Sequence, residues 1–203
     1  MRKIILALSL VSVSWLASAQ NYPTQPIKLI IPFAAGGTTD ILGRLLAQQL
    51  TKDLGQNVIV ENKPGAGGNI AAEYLAQSPA DGYTIMLASG SMLTVNPFLY
   101  KKLPVNYAKD FVYITNVASG PMLVSVSTKL PVKNLAEFIA YAKANPGILK
   151  YSSTGVGGPH HLIAEYLFSN IGLKLQHIPA AGGARAIELV SNNEVQAMMP
   201  ASI

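Results

Sequence analysis

Short apolar runs alternate with amphipathic segments in the first half of the chain. Residues 27–31 predict a strand that Pro32 ends, and residues 39–54 predict a helix, because their isoleucines and leucines fall on one stripe. The same reasoning predicts strands at residues 58–60 and 83–88 and a short helix at residues 70–75. Because strands alternate with helices, we expect parallel pairing with right-handed crossovers.

The second half alternates in the same way. A long apolar run at residues 112–127 predicts two extended segments on either side of residues 120–121. Residues 133–144 predict a helix, with Asn134 as its N-cap and Glu137 at its third position. Further predicted elements are strands at residues 149–152, 173–178 and 195–199 and helices at residues 160–170 and 184–190.

This order predicts two α/β lobes with mainly parallel sheets, joined by a hinge near residues 118–121. We assign residues 20–118 to the first lobe and residues 119–203 to the second. The last predicted strand has no helix after it to cover its face. We therefore expect that the C-terminal part is missing, so that both lobes lack their completion.

The first nineteen residues have the pattern of an export signal. Arg2 and Lys3 form a positive start, residues 4–16 are almost entirely apolar, and residues 17–19 read Ala-Ser-Ala, which suits signal peptidase. The apolar run is shorter than the ~20 residues that span a bilayer. We predict a Sec-type signal peptide at residues 1–19 and a periplasmic location.

Composition and charge exclude several classes of protein. Half of the 203 residues are hydrophobic and 12% are charged, which excludes a disordered polyelectrolyte. The formal charge is +5, of which Arg2 and Lys3 contribute two, and the remaining basic residues are scattered, so no nucleic acid partner is expected. Cysteine is absent, which excludes disulfides, thiolate metal sites and cysteine nucleophiles. We predict no cofactor and no metal.

Two glycine-bearing loops lie where a predicted strand leads into a predicted helix, at residues 32–40 and 152–159. Such loops let backbone N–H groups and a helix N-terminus approach an anion, and they suit a carboxylate or a phosphate. The alternative is that Gly36 and Gly37 only form a tight turn and that Thr38, Thr39 or Asp40 only caps the helix. Neither loop has the P-loop or dinucleotide glycine pattern, so nucleotides are not expected.

The histidines and serines do not form a recognisable catalytic motif. His160 and His161 are adjacent, so they point about 100° apart on a helix and cannot ligate one metal at the usual spacing. No nucleophile elbow and no zinc-protease pair is present. A second hypothesis remains open, an exported serine hydrolase that uses Ser153 or Ser91 with His161.

Several longer motifs, taken together and in order, are specific. They are Tyr22-Pro with Pro26-Ile, Pro32-Phe-Ala-Ala-Gly-Gly with Asp40, Glu61-Asn-Lys-Pro-Gly-Ala-Gly-Gly, Pro79-Ala-Asp-Gly-Tyr-Thr, Ala142-Lys-Ala-Asn-Pro-Gly, and Ser153-Thr-Gly-Val-Gly with His161-Leu. In these motifs the chain resembles the Bug receptors, the extracytoplasmic solute-binding proteins of tripartite tricarboxylate transporters. The resemblance runs from Tyr22 to Met199.

The resemblance implies a type II periplasmic-binding-protein fold whose two lobes close on a small organic carboxylate without chemistry. It also implies a monomer that hands its ligand to membrane permease subunits. The implied ligand-binding residues are, in the first lobe, Phe33, Ala34, Ala35, Gly36, Gly37 and Thr38; on the cleft floor, Ser89, Gly90 and Ser91; in the second lobe, Ser153, Thr154 and Gly155; and on the rim between Ala180 and Gly183, Ala181 and Gly182.

The chain departs from the family in two respects. Ala180 and Ala181 stand where the family commonly has an aromatic and a polar residue, and Asn192-Asn193 stand where it has glycines. Members also continue for roughly another hundred residues, which would complete the first domain. A third hypothesis is therefore a non-functional truncated remnant.

Overall fold

The first sheet is parallel and consists of three strands. In this computed structural model, which describes residues 22–201, its strands lie in the order β2-β1-β3. Its elements are β1 (Ile27–Ile31), α1 (Thr38–Leu54), β2 (Val58–Asn62), α2 (Asn69–Gln77) and β3 (Thr84–Met86). A 3-10 turn (Ala66–Gly68) precedes α2. The predicted signal peptide lies outside the described residues.

The central strand β1 forms the core of this sheet. Ile27, Leu29, Ile30 and Ile31 are at most 2% exposed, as expected for a parallel strand with a neighbour on each side and helices on its faces. Two short helices, α3 (Gly90–Thr94) and α4 (Asn96–Leu99), follow β3. The sequence pattern did not predict them, because five- and four-residue helices are too short to show a helical period.

The second sheet has four strands in the order β4-β7-β5-β6. Its elements are β4 (Ser125–Val126), α5 (Leu135–Ala144), β5 (Lys150–Ser153), α6 (Pro159–Asn170), β6 (Gln176–Pro179), α7 (Gly183–Ser191) and β7 (Ala197–Met198). Strand β5 pairs in parallel with β6 and β7, whereas β4 is antiparallel to β7. Phe138, Tyr151 and Phe168 form the centre of its core. The predicted N-cap of α5 is confirmed, since the Glu137 N–H donates to Asn134 Oδ1 at 2.9 Å.

The prediction for residues 112–127 is largely wrong. Only the two residues of β4 form a strand, and Met122 makes an isolated bridge to Ala201. Within residues 22–201, no strand or β-bridge forms at residues 112–121. Val112 and Ile114 in this segment are 93% and 80% exposed. An apolar run becomes a strand only where a neighbour supplies backbone partners and a buried face.

Across residues 22–201, no helix is both long enough and apolar enough to cross a bilayer.

Candidate functional site

The loop between β1 and α1 is shaped by hydrogen bonds within itself. Gly36 has a φ of +81°, which requires glycine, and its N–H donates to Asp40 Oδ2 at 2.9 Å. The predicted ligand residue Gly36 therefore uses its amide within the loop. Within residues 22–201 the amides of Ala35, Gly37 and Thr38 have no acceptor. These three N–H groups are among the donors that the loop can offer to a ligand.

A buried carboxylate holds this loop from inside. Asp40 is 3% exposed; its Oδ2 accepts a hydrogen bond from Arg44 Nε at 3.0 Å, and its Oδ1 accepts one from Asn62 Nδ2 at 2.9 Å. Asn62 Nδ2 also donates to the Phe33 carbonyl at 3.0 Å. Burial alone would raise the pKa of Asp40, but the hydrogen bonds from Arg44, Gly36 and Asn62 outweigh it and lower the pKa.

Sequence reasoning considered Asp40 only as a possible cap and gave Asn62 no role at the site. A signal for Asn62 existed, since it ends β2 and pairs in register with Ile31, directly before the loop. A polar residue at the carboxyl end of the neighbouring strand can reach the loop that follows β1.

The loop between β5 and α6 begins with Ser153, which is 1% exposed. Ser153 Oγ lies 2.7 Å from His177 Nε2 and 3.0 Å from the Gly155 carbonyl, and it accepts the Gly155 N–H at 3.2 Å. Its imidazole partner is therefore His177 of β6. The expected partner His161 instead accepts the Gly157 N–H on Nδ1 at 3.1 Å. That part of the hydrolase hypothesis is wrong: His177, which pairs in register with Tyr151 two residues before Ser153, is the imidazole within reach of the Ser153 hydroxyl.

The structure brings the β1–α1 loop against the predicted rim. A Cβ atom added to Gly36 would lie 3.7 Å from Ala184 Cβ, and one added to Gly182 would lie 3.0 Å from Ala34 Cβ. The rim is in turn bonded to β5, since the Ala180 N–H donates to the Ser153 carbonyl at 2.9 Å. The loop that follows β1 therefore contacts the loop that follows β6, and the latter lies beside the end of β5.

Of the remaining predicted residues, Gly155 follows β5, and Ser89 and Ser91 follow β3. A Cβ atom added to Gly155 would meet no described atom within 4 Å, so the space in front of this residue is open. Gly157 approaches the Leu99 side chain and the Tyr100 hydroxyl, which brings the end of α4 to the β5–α6 loop. Ser89 and Ser91, on either side of Gly90, have their hydroxyls 3.1 Å apart after β3, the strand beside β1.

Three helices begin at these loops without a side-chain cap. The N-cap residues of α1, α6 and α7 are Gly37, Gly158 and Gly182, and none of them provides a capping hydrogen bond. Helix α5, by contrast, is capped by Asn134. Uncapped N-terminal amides carry partial positive charge and need an acceptor, so an anion in this region would satisfy them.

The chain is similar to known proteins in sequence and in fold. Residues 42–202 match the family model described as tripartite tricarboxylate transporter family receptor. A UPF0065 protein of Bordetella pertussis is 39% identical over 191 residues, which are 94% of this chain and 59% of that protein. Protein BugT of the same organism is 37% identical, with 84% of this chain and 52% of BugT covered.

Solved structures show the same fold. Rpa4515 of R. palustris with adipate has 34% identity and a TM-score of 0.86, over 89% of this chain and 60% of that one. MatC of Rhodopseudomonas palustris with bound malate has 27% identity and a TM-score of 0.78, over 89% of this chain and 61% of that one.

The chain thus spans about three fifths of the length of the first of these relatives. The predicted type II periplasmic-binding-protein fold and the resemblance to the Bug receptors are both confirmed. By its family match, its relatives and its fold, the chain belongs to the tripartite tricarboxylate transporter family receptors.

Proposed function

We propose that this chain captures a small organic carboxylate in the periplasm and delivers it to the permease subunits of a tripartite tricarboxylate transporter. The observation that carries the proposal is the contact between the uncapped N-termini of α1 and α7 at Gly37 and Gly183, whose first amides need an acceptor. The N-terminus of α6, which follows the neighbouring strand β5, is uncapped as well. A carboxylate supplies two acceptor oxygens and a negative charge. Two related structures hold adipate and malate, which are carboxylates of this kind.

In this proposal the amides of Ala35, Gly37 and Thr38 hold one side of the carboxylate. The amide and hydroxyl of Thr154 and the open space in front of Gly155 receive it from the other side. Phe33, Ala34 and Ser153 shape the two loops, and Ser89, Gly90 and Ser91 line the floor. Ala181 and Gly182 form the rim, and their small size leaves room for the distal part of the ligand.

The two lobes, at residues 20–118 and 119–203, would close on the ligand by rotating near residues 118–121. A carboxylate that contacts both loops at once stabilises the closed arrangement, because only this arrangement presents both sets of donors. Binding requires no cofactor and no bond cleavage.

The test is isothermal titration calorimetry of the 203-residue chain with adipate, malate and a panel of other di- and tricarboxylates. We expect at least one of them to bind with a Kd on the order of micromolar. Ser153→Ala should weaken that binding about tenfold by releasing the loop. Ser152→Ala is the matched control, because the Ser152 hydroxyl bonds the Ile178 carbonyl instead. Failure of the whole panel to bind to a folded chain would refute the proposal.

One observation favours the serine hydrolase alternative, the 2.7 Å distance between Ser153 Oγ and His177 Nε2. A nucleophile and a base at this distance can transfer a proton. Ser153 is buried, however, and its hydroxyl is also bonded to both polar groups of the Gly155 backbone. Turnover of p-nitrophenyl esters that disappears in both Ser153→Ala and His177→Gln would support the hydrolase against the receptor.

A further inference from the structure

All three histidines of the protein contact the β5–α6 loop. His160 Nδ1 lies 3.0 Å from Thr154 Oγ1, His161 Nδ1 accepts the Gly157 N–H at 3.1 Å, and His177 Nε2 lies 2.7 Å from Ser153 Oγ. Two of these histidines come from the first turn of α6 and one comes from β6. Each imidazole thus contacts a different residue of the loop that we assign to the carboxylate.

We propose that His160, His161 and His177 are positioning residues for the carboxylate, and that the site loses affinity when His161 Nδ1 takes a proton. The proposal rests on the proposed function, and it specifies how binding at that site is regulated. The loop needs these contacts because Gly155 and Gly157 both have a positive φ and would otherwise sample many conformations.

His161 is the residue at which a proton has the clearest consequence. A histidine nitrogen that accepts an N–H must be unprotonated, so His161 is neutral while it holds Gly157. A proton on Nδ1 would place two donors against each other and break this hydrogen bond. The loop residue Gly157 would then lose the contact that fixes its amide.

Aromatic and ionisable side chains from three elements surround His161. Its ring stacks on His177 at 4.0 Å between centroids, and Tyr151 of β5 stacks on His177 at 4.9 Å. The Tyr151 hydroxyl donates to Glu165 Oε1 at 2.6 Å, and Tyr100 faces Gly157 from the end of α4. Glu165 is the carboxylate in this group. It lies one turn beyond His161 on α6 and accepts the hydrogen bond from Tyr151.

The pKa directions agree with this geometry. Burial, and then the neighbouring His161, lower the pKa of His177, although Glu165 acts in the opposite direction. Burial also lowers the pKa of His160. Both residues are therefore neutral at neutral pH, which is the state in which the loop is assembled.

The experiment separates loop geometry from ligand binding. In the ligand-free chain, the amide resonance of Gly157 is followed by NMR from about pH 8 to about pH 5, the range in which histidines titrate. Adipate and malate binding is then measured calorimetrically over the same range. Three chains are compared, the wild type, His161→Asn, and His161→Phe. Asparagine retains an acceptor near the Nδ1 position but cannot titrate, and phenylalanine retains the ring stacking without an acceptor.

We expect the wild-type Gly157 resonance to shift on acidification and its ligand affinity to fall about fivefold to tenfold. His161→Asn should keep the neutral-pH affinity and lose most of the pH dependence, whereas His161→Phe should bind weakly at every pH. Ionisation of the ligand affects all three chains alike, so the differences between their profiles are diagnostic.

Equal pH dependence in the wild type and in His161→Asn, or an unchanged Gly157 resonance, would overturn the proposal while leaving the proposed function intact. Absence of binding at about pH 7.5 would overturn both.

Discussion

Asp40 shows how a single residue can shape a binding loop without touching a ligand. Its carboxylate receives hydrogen bonds from the Gly36 amide, Arg44 and Asn62, so a negative charge lies directly behind the proposed anion site. Arg44 compensates this charge at 3.0 Å. The carboxylate therefore fixes the loop, and its pairing with Arg44 limits its repulsion of an incoming anion.

We predict that Asp40→Asn destabilises the protein by about 1–3 kcal/mol. The new amide group would place a donor against Gly36 and Arg44 or against Asn62, each of which also donates. Urea denaturation followed by circular dichroism measures the loss. Asp53→Asn is the matched control on the same helix, since Asp53 is exposed and bonds only Gln49 among the described residues. Equal stability of the two variants would show that the Asp40 network does not hold the loop.

At the scale of elements, the helices at the site differ from α5 in how they begin. Asn134 caps α5 with its own side chain, whereas glycine precedes α1, α6 and α7. Gly37 has a φ of −84° and a ψ of 167°, which any residue can adopt. The backbone conformation therefore does not require glycine at this position. We attribute the glycine to the need to leave the first amides of α1 open to a ligand.

The variant Gly37→Asp tests this role. An aspartate N-cap would satisfy the first amides of α1 with its own carboxylate, so ligand affinity should fall at least about tenfold while the melting temperature stays equal or rises. A Cβ atom at this position meets only ordinary contacts, the nearest at 3.6 Å from the Ala34 carbonyl. Calorimetry and thermal melting provide the two readouts.

The control for this variant is Gly37→Ala, which adds the same Cβ atom but no acceptor. It should retain most of the affinity. If alanine weakens binding as much as aspartate does, the effect is steric, and the open amides of α1 are not the ligand's donors.

At the scale of the whole molecule, the pH dependence of folding follows from the groups with displaced pKa values. The pKa values of His160 and His177 are lowered, so the unfolded chain takes up protons before the folded chain does. Stability is therefore complete above the ordinary histidine pKa of 6.5 and falls as the pH drops below it. Asp40, whose pKa is lowered from 3.8, adds a second loss in stronger acid.

We predict a melting temperature that is constant above about pH 7 and declines in two steps on acidification, the first below about pH 6.5 and the second below about pH 4. In His177→Gln the first step should shrink, because one of the two imidazoles with a lowered pKa no longer titrates. In Asp40→Asn the second step should shrink instead. Differential scanning calorimetry measures both. A melting temperature that rises between about pH 7 and about pH 5 would contradict the assignment.

Local patterns were sufficient to predict the main α/β elements that flank the loops, because hydrophobic period and glycine or proline punctuation act over a few residues. The predicted strand at residues 83–88 is shorter in the structure, and residues 112–121 do not pair within the described chain. Both differences concern pairing, which depends on a partner distant in sequence.

The sequence by itself determined the family, the α/β class and the two glycine-bearing loops, since each rests on contiguous residues. Only the tertiary structure decided which side chains support those loops. Ser153 and His177 are 24 residues apart, and Asp40 and Asn62 are 22 apart, so parallel strand pairing brings them together. Pairing also aligns the ends of β5 and β6 within the second sheet, and the contact between Gly37 and Gly183 joins the N-termini of α1 and α7, which belong to different sheets.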